Sequence, residues 1–301
     1  PYLTLAKNYE AEIVRSFGKL VEKGYIYKDL KPVNWCATCE TALAEAEVEY
    51  EDKTSPSIFV KFRLPKGSMP KGQCEGDPGN DIFFIIWTTT PWTLVANVAI
   101  AVHPECEYVY LDAQGLNGNA RETYIVAKAL VESSVQKMGL KEYKVLKTMK
   151  GKELEGLEVR HPFIDRNSKV VTAEYVSMED GTGCVHTAPG HGQEDYITGK
   201  RYKLPTIMPV DEKGRFDKTA GDLSGMKVYE ANKPILEKLR SLGSLVWSGD
   251  IQHSYPHCWR CKKPIIFRAT EQYFLRIDHD GLRSKMLNRI SSGIKWIPSS
   301  G

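Results

Sequence analysis

The chain carries two Cys-x-x-Cys pairs near opposite ends, Cys36/Cys39 and Cys258/Cys261, with Cys258 standing 219 positions after Cys39. One such pair puts two thiolates on a tight turn, and two pairs supply the four soft ligands that tetrahedral zinc takes in structural sites. A metal bound by both pairs holds the beginning of the chain to its end, so the residues between must leave and return to one place. The expected layout is an insertion on a two-stranded stalk. The ligand set stays open, because His253 and His257 flank the second pair and either imidazole can replace a thiolate. Four thiols without metal is the other reading. Cys74 in a polar loop, Cys106 in a turn and Cys184 in a strand-like run are single, and packing is the default for each.

Seven cysteines, an odd number with four of them in CxxC pairs, do not make a disulfide framework, and a reducing, cytoplasmic setting is expected. With 41 basic and 38 acidic residues the net charge is +3, which excludes a disordered polyelectrolyte and argues neither for nor against nucleic acid. The longest apolar run, IFFIIW at 82–87, is far below the ~20 residues of a membrane span. The opening PYLTLAKNYEAE lacks the basic-then-apolar order of a secretion signal. A soluble monomer with no membrane partner is expected. The chain begins at Pro1 and runs to IKWIPSSG, which reads as a piece of something longer, and 301 residues allow about two domains.

Leu5, Tyr9, Ile13, Phe17 and Leu20 recur every three or four positions before Gly24, the pattern of an amphipathic helix over 5–23. From Val48 the pattern changes to short β-rich runs: 57–62, 81–87, 107–111, 123–127, 143–149, 169–172 and 184–187. Many short strands imply a barrel or a sandwich. Helices are expected at 128–139 and 193–204, packed on the outside. Another is expected after Asn232 as its cap, with Pro234 in the first turn, ending at Gly243. Residues 65–81 are a loop on composition.

Two segments concentrate chemistry. In WTTTPWTLVAN (87–97) a strand ends in Thr88, Thr89 and Thr90 before Pro91, presenting hydroxyls and backbone N–H groups without ladder partners, a rim able to hold a small ligand. In GTGCVHTAPGHGQEDY (181–196) glycines let backbone approach a ligand, His186 and His191 titrate, and Glu194 and Asp195 open a helix. Several readings stay open here: a metal held by His186, His191 and Asp195; a Cys184/His186 nucleophile pair; a carboxylate binding an ammonium; or a helix start with packed histidines.

The strings NWCATCETALAEAEVEYEDKTSPSI, FIIWTTTPWTL, GTGCVHTAPGHGQEDY and HSYPHCWRCKKPIIFRATEQYF, in this order, closely resemble the editing insertion of the isoleucyl-tRNA synthetase family. The related valyl and leucyl enzymes carry an Arg before the proline where this chain has Thr90. The resemblance implies a mainly β fold with peripheral α-helices, an editing β-barrel over 53–215. It places a helix and stalk in 1–52 and a helix, the second CxxC and a return segment in 216–301. It implies structural zinc at Cys36, Cys39, Cys258 and Cys261.

The implied activity is hydrolysis of valine wrongly esterified to the isoleucine tRNA. One methylene is worth only about 0.8 kcal/mol of burial, so a pocket shaped for isoleucine admits valine too often and a second sieve is needed. By resemblance Asp195 anchors the ammonium of the esterified amino acid, and Thr88, Thr89 and Thr90 surround the ester and terminal adenosine. Trp92 and Asn97 shape the wall, His186 borders the side-chain pocket, and an ordered water attacks. The partners implied are the tRNA(Ile) acceptor end carrying valine and the rest of the parent synthetase. The alternatives are the editing domain of a valyl or leucyl relative, or a non-catalytic zinc module that docks tRNA on basic clusters such as Lys200, Arg201 and Lys203.

Overall fold

A computed structural model describes residues 3–68, 80–115, 120–295 and 297. Cys74 and most of the 65–81 loop lie outside the described residues. The chain divides into two compact units, Pro32–Ala269 and the paired ends Pro1–Lys31 with Thr270–Gly301.

In the unit of paired ends, α1 (Lys7–Glu22) forms where the apolar period expects it and stops at Gly24, which holds φ +76°. None of its residues is buried. Phe17 meets Tyr273 edge to face at 5.5 Å, and Tyr27, at the start of β1 (Ile26–Cys36), stacks on Phe274 at 5.4 Å.

The larger unit is mainly β with peripheral helices, as expected. Its strands are β2 (Thr41–Leu43), β3 (Val48–Leu64), β4 (Asp81–Thr88), β5 (Ala99–Val102), β6 (Glu107–Gln114), β7 (Arg121–Ala127), β8 (Tyr143–Lys150), β9 (Glu158–Arg160), β10 (Asn167–Thr172), β11 (Cys184–Thr187), β12 (Leu245–Cys258) and β13 (Ile266–Leu275), the last of which runs on into the other unit. Hydrogen bonding runs β3-β9-β10-β5-β11-β4, and β4 pairs back to β3, so six strands close into a ring. Closure leaves no free edge around that ring. β7, β6 and β8 continue from β4, and β12 continues from β3.

Strand alternation sorts the side chains. Ile58, Val60, Phe62 and Leu64 of β3, Phe84 and Ile86 of β4, Ile100 and Val102 of β5, Val159, Val170 and Cys184 share one buried cluster, the ring interior. The next residues along, Phe59 and Ile85, face outward and are covered with Val131 and Val135 of α2 (Val131–Met138). Ala99, Ala101 and Val171 are covered by Tyr202 of α4 (Gln193–Tyr202). Both helices therefore lie on the outer face, where their apolar sides have somewhere to be buried.

β3 and β12 form an antiparallel ribbon, in register from Val48↔Cys258 to Ser57↔Gly249. One expectation is corrected. Asn232 does not cap its helix, whose N-cap is Ala231; Asn232 is the first helical residue of α5 (Asn232–Ser241). Its Oδ1 accepts the backbone N–H of Trp92 at 3.1 Å, because the turn after Pro91 needed an acceptor more than the helix end did.

Candidate functional site

β4 and β11 run parallel with Val185 opposite Trp87. That register sets Thr88 and His186 side by side, each continuing the inward-facing series of its own strand, Phe84–Ile86–Thr88 and Cys184–His186. An apolar ring interior thus ends in polar groups at one mouth. The chain then turns at Pro91–Ala96, a 3-10 turn that buries all six of its residues and leads to Asn97, itself fully buried.

A directed chain of hydrogen bonds ties this mouth together. Asn97 Nδ2 donates to the carbonyl of Ala99 at 2.8 Å and faces Nδ1 of His186 at 3.3 Å. With Nδ1 as acceptor, the His186 proton is assigned to Nε2, which lies 2.8 Å from Thr93 Oγ1. The Thr93 hydroxyl donates to the carbonyl of Thr90 at 2.7 Å, and Thr90 Oγ1 lies 3.2 Å from Thr93 Oγ1 and 3.4 Å from Thr88 Oγ1. Asn97 is fixed from behind by Ser168 Oγ at 2.5 Å and, through its carbonyl, by Arg166 at 2.6 Å. Burial pushes His186 down to about 4, with His191 adding to the effect, so the ring is neutral at pH 7 and both nitrogens are engaged.

Asp195, half-buried in the first turn of α4, sits beyond the end of β11. Its Oδ2 accepts the N–H of Ala188 at 2.8 Å and its Oδ1 the hydroxyl of Tyr175 at 3.3 Å. Burial raises it to about 6 against the pull of those two donors. The carboxylate is ionised at neutral pH and retains acceptor capacity for a cation. Trp92 packs edge to face on His191 at 4.8 Å, and Thr89 and Thr90 line a cavity of about 320 Å3 with Lys53, Ser55, Tyr229 and Asn232.

Two of the open readings are not built by this geometry. His186, His191 and Asp195 do not gather, since among the described residues the one group placed to hold a metal is made of cysteines. His191 instead bonds the carbonyl of Phe267 at 3.0 Å. Cys184 Sγ points to the carbonyl of Ile125 at 3.9 Å in a fully buried setting that raises its thiol, so it is no nucleophile. The loop glycines also differ from expectation. A Cβ on Gly183 would meet that of Ala127 at 2.3 Å, and one on Gly190 the carbonyl oxygen of Ile207 at 2.3 Å. Their role is close packing of the chain on itself. Thr93 escaped the sequence reading as a site residue and Asn232 was read only as a helix cap, for nothing in their spacing separates them from ordinary turn and cap residues.

At the ends of β1 and β12, Cys36, Cys39, Cys258 and Cys261 bring their sulfurs within 4.8 Å of one another, and Cys39 N–H donates to Cys36 Sγ at 3.3 Å. Tetrahedral zinc with ~2.3 Å bonds needs sulfurs about 3.8 Å apart, so the donor set fits such an ion. Neither flanking histidine joins it: His253 Nε2 lies 3.0 Å from Ser55 Oγ, and His257 Nδ1 lies 2.8 Å from the carbonyl of Tyr255.

The whole chain, residues 1–301, matches the family of tRNA synthetases class I (I, L, M and V). The chain belongs to that family. Isoleucine–tRNA ligases of Petrotoga mobilis, Desulforamulus reducens and Thermotoga maritima are 52%, 51% and 50% identical to it over all of its length. It spans 31% of the length of each of these ligases. The kinship with isoleucyl-tRNA synthetases carried by its four strings is thus met. The leucyl-tRNA synthetase editing domain of P. falciparum aligns with 63% of this chain and 98% of its own, at 13% identity and TM-score 0.48. That of P. knowlesi aligns with 64% and 96%, at 13% identity and TM-score 0.48. No helix among the described residues is long and apolar enough to cross a membrane.

Proposed function

We propose that this chain is the editing portion of an isoleucyl-tRNA synthetase and hydrolyses valine wrongly esterified to tRNA(Ile). The observation that carries the reading is the mouth of the strand ring. There Thr88, Thr90, Thr93, His186 and Asn97 form one hydrogen-bonded wall, and Asp195 presents an ionised carboxylate beside the end of the same strand. On this reading the ring is the editing β-barrel, and the acceptor end of the tRNA enters at the mouth.

The substrate is an amino acid whose carboxyl has become an ester, so its remaining charge is the α-ammonium. Asp195 accepts hydrogen bonds from that ammonium, and the held position of its Oδ2 on Ala188 sets where the ester lies. Thr88, Thr89 and Thr90 surround the ester and the terminal ribose, while Trp92 and Asn97 keep the wall in place. His186 is a positioning residue, since a neutral ring bonded through both nitrogens has no lone pair free to take a proton. With no side-chain nucleophile at the mouth, a water adds to the ester carbonyl carbon, and the carbon–oxygen bond to the ribose then breaks. The ribose oxygen leaves as a hydroxyl and the water's oxygen stays on the free valine. Rigid packing of His186 between Thr93 and Asn97 supports rejection of isoleucine, because a buried wall that cannot shift excludes an added methylene.

The cysteine cluster would hold zinc through Cys36, Cys39, Cys258 and Cys261, and four thiolates leave no open position, so the ion serves as a clip. The test is deacylation. The chain, alone or within its parent synthetase, is expected to release valine from valyl-tRNA(Ile) much faster than isoleucine from isoleucyl-tRNA(Ile). Equal rates would refute the reading.

A further inference from the structure

Lys53, in β3, stands between two tyrosine rings. Its Nζ lies 4.0 Å from the ring centre of Tyr229 and 4.0 Å from that of Tyr255. Both phenols are themselves turned away to the carbonyl of Ile265, Tyr229 at 2.8 Å and Tyr255 at 3.3 Å. Two ring faces steady a cation but accept none of its three N–H bonds in the way an oxygen does. No carboxylate among the described residues pairs with it, and burial alone pulls the amine down to about 8, with no charged neighbour contributing. A half-buried ammonium without a counter-ion costs stability, and an anionic ligand would complete it.

What the ammonium faces identifies that ligand's chemistry. The cavity of about 320 Å3 beside Lys53 is lined by the hydroxyl residues Thr54, Ser55, Thr89 and Thr90 and by Asn232. Pro56, Trp92 and Pro264 complete the lining, and a cation that shares a cavity with hydroxyl and amide side chains suits an oxyanion. Thr89 and Thr90 also belong to the mouth where the terminal adenosine is proposed to lie. An amino acid joined to tRNA has lost its carboxylate, so the anion next to it is the phosphate on the 5′ side of that adenosine. The ammonium pole of the substrate would be repelled by Lys53 and held by Asp195, while the phosphate pole has the opposite preference, and two poles fix the direction in which the acceptor end enters.

We propose that the cavity of Lys53, Tyr229, Tyr255, Thr89 and Thr90 is a nucleotide-phosphate subsite, with Lys53 taking the 5′-phosphate of the terminal adenosine. This rests on the editing reading for the identity of the ligand and deepens it. The group comes either as the phosphodiester of tRNA or as a free mononucleotide, and the experiment separates the two.

The test uses the 301-residue chain and its variants Lys53→Met and Lys53→Arg, read first by calorimetric titration with adenosine 5′-monophosphate and with adenosine. The parent is expected to bind the monophosphate better than adenosine. Lys53→Met weakens monophosphate binding about tenfold to a hundredfold and leaves adenosine binding unchanged, and Lys53→Arg keeps part of the preference. The same variants are then compared on valyl-tRNA(Ile) and on valyl-adenosine lacking phosphate. Lys53→Met should raise KM for the tRNA about tenfold and leave the phosphate-free ester untouched; loss on the monophosphate alone assigns the site to free nucleotides. Removing an uncompensated charge while keeping the stem, Lys53→Met should melt at or above the parent temperature. Equal losses on ligands with and without phosphate, or no loss on either, would overturn the subsite. A chain that fails to deacylate valyl-tRNA but keeps Lys53-dependent monophosphate binding overturns the editing reading and leaves the phosphate subsite standing.

Discussion

Thr93 Oγ1 lies 2.8 Å from His186 Nε2 and 2.7 Å from the carbonyl oxygen of Thr90, so one hydroxyl joins the turn after β4 to the inner face of β11. Thr93→Val keeps the volume and leaves a buried N–H of His186 unpaired, a cost of about 1–3 kcal/mol. The variant is expected to be less stable by that amount and to deacylate valyl-tRNA(Ile) more slowly, with a narrower preference for valine than the parent as the wall loosens. Parent-like melting and parent-like selectivity together would remove Thr93 from the site.

Asp195 separates catalysis from stability because burial raises it from 3.8 to about 6. A raised carboxyl gives stability that is fully present below about pH 3.8 and lost as pH rises through about 6. At pH 7.5 Asp195→Asn, whose amide oxygen can still accept the Ala188 N–H, is therefore expected to be about 1–2 kcal/mol more stable than the parent. Deacylation should drop tenfold to a hundredfold, the worth of a hydrogen bond to a charged group. Denaturant melts and hydrolysis on one preparation check both, and unimpaired hydrolysis would sink the assignment.

The parent's kcat/KM for deacylation should fall below pH 6 as Asp195 takes up a proton, with a limiting slope of one proton. His186 contributes no inflection, since burial holds it near 4. A profile that breaks at the ordinary histidine value and vanishes in a His186 variant would reverse these roles.

His161, His186 and His191 are buried and held down to about 3, 4 and 4. Their sign is opposite to that of Asp195. The unfolded chain binds their protons first, so stability falls as pH drops from about 6.5 toward 4, by up to about 1.4 kcal/mol per pH unit for each ring. Denaturant melts at pH 5 and pH 7 should differ by several kcal/mol, and histidine proton resonances of these rings should not titrate above pH 5. Equal stability at the two values would contradict the buried neutral rings.

About one zinc per chain is expected by elemental analysis. The cysteine cluster packs with Leu43, Val48 and Ile265, apart from the ring interior. Stripping the ion with a chelator, or Cys36→Ser with Cys39→Ser, should free the β1–β2 hairpin from the end of β12 while the strand ring keeps its circular dichroism. A metal-free protein with all four thiols unreacted would refute the clip.

Legibility in the sequence followed the range of the physics. Local periodicity places α1 and α4 and the strands β4, β6, β7, β8, β10 and β11, because burial of every second or every third-to-fourth side chain repeats within a few residues, whereas the short β5 and β9 show no such period. Isolated spacing gave the cysteine ligand type but not its membership. The rejection of His253 and His257 depends on Ser55 and the Tyr255 carbonyl, which stand on the ribbon itself. Asn232 was legible as polar and near a helix start, yet its acceptor was claimed by Trp92 from 140 positions away.

The amino-acid order alone settles family membership, the alternating strands, the outer helices and the four thiols, since each is written in neighbouring residues or in a string too specific to arise otherwise. Tertiary structure decides which titrating groups are available. Cys184 and His186 differ from exposed residues of the same type only through the strands that enclose them, which remove water from one and occupy both nitrogens of the other. The register of Val185 on Trp87 brings Thr88 beside His186, and burial in its own surroundings makes Asp195 a weaker acid. Desolvation and hydrogen-bond direction are properties of what surrounds a group, and the surroundings here come from segments far apart in the chain, Thr93 and His186 by 93 positions.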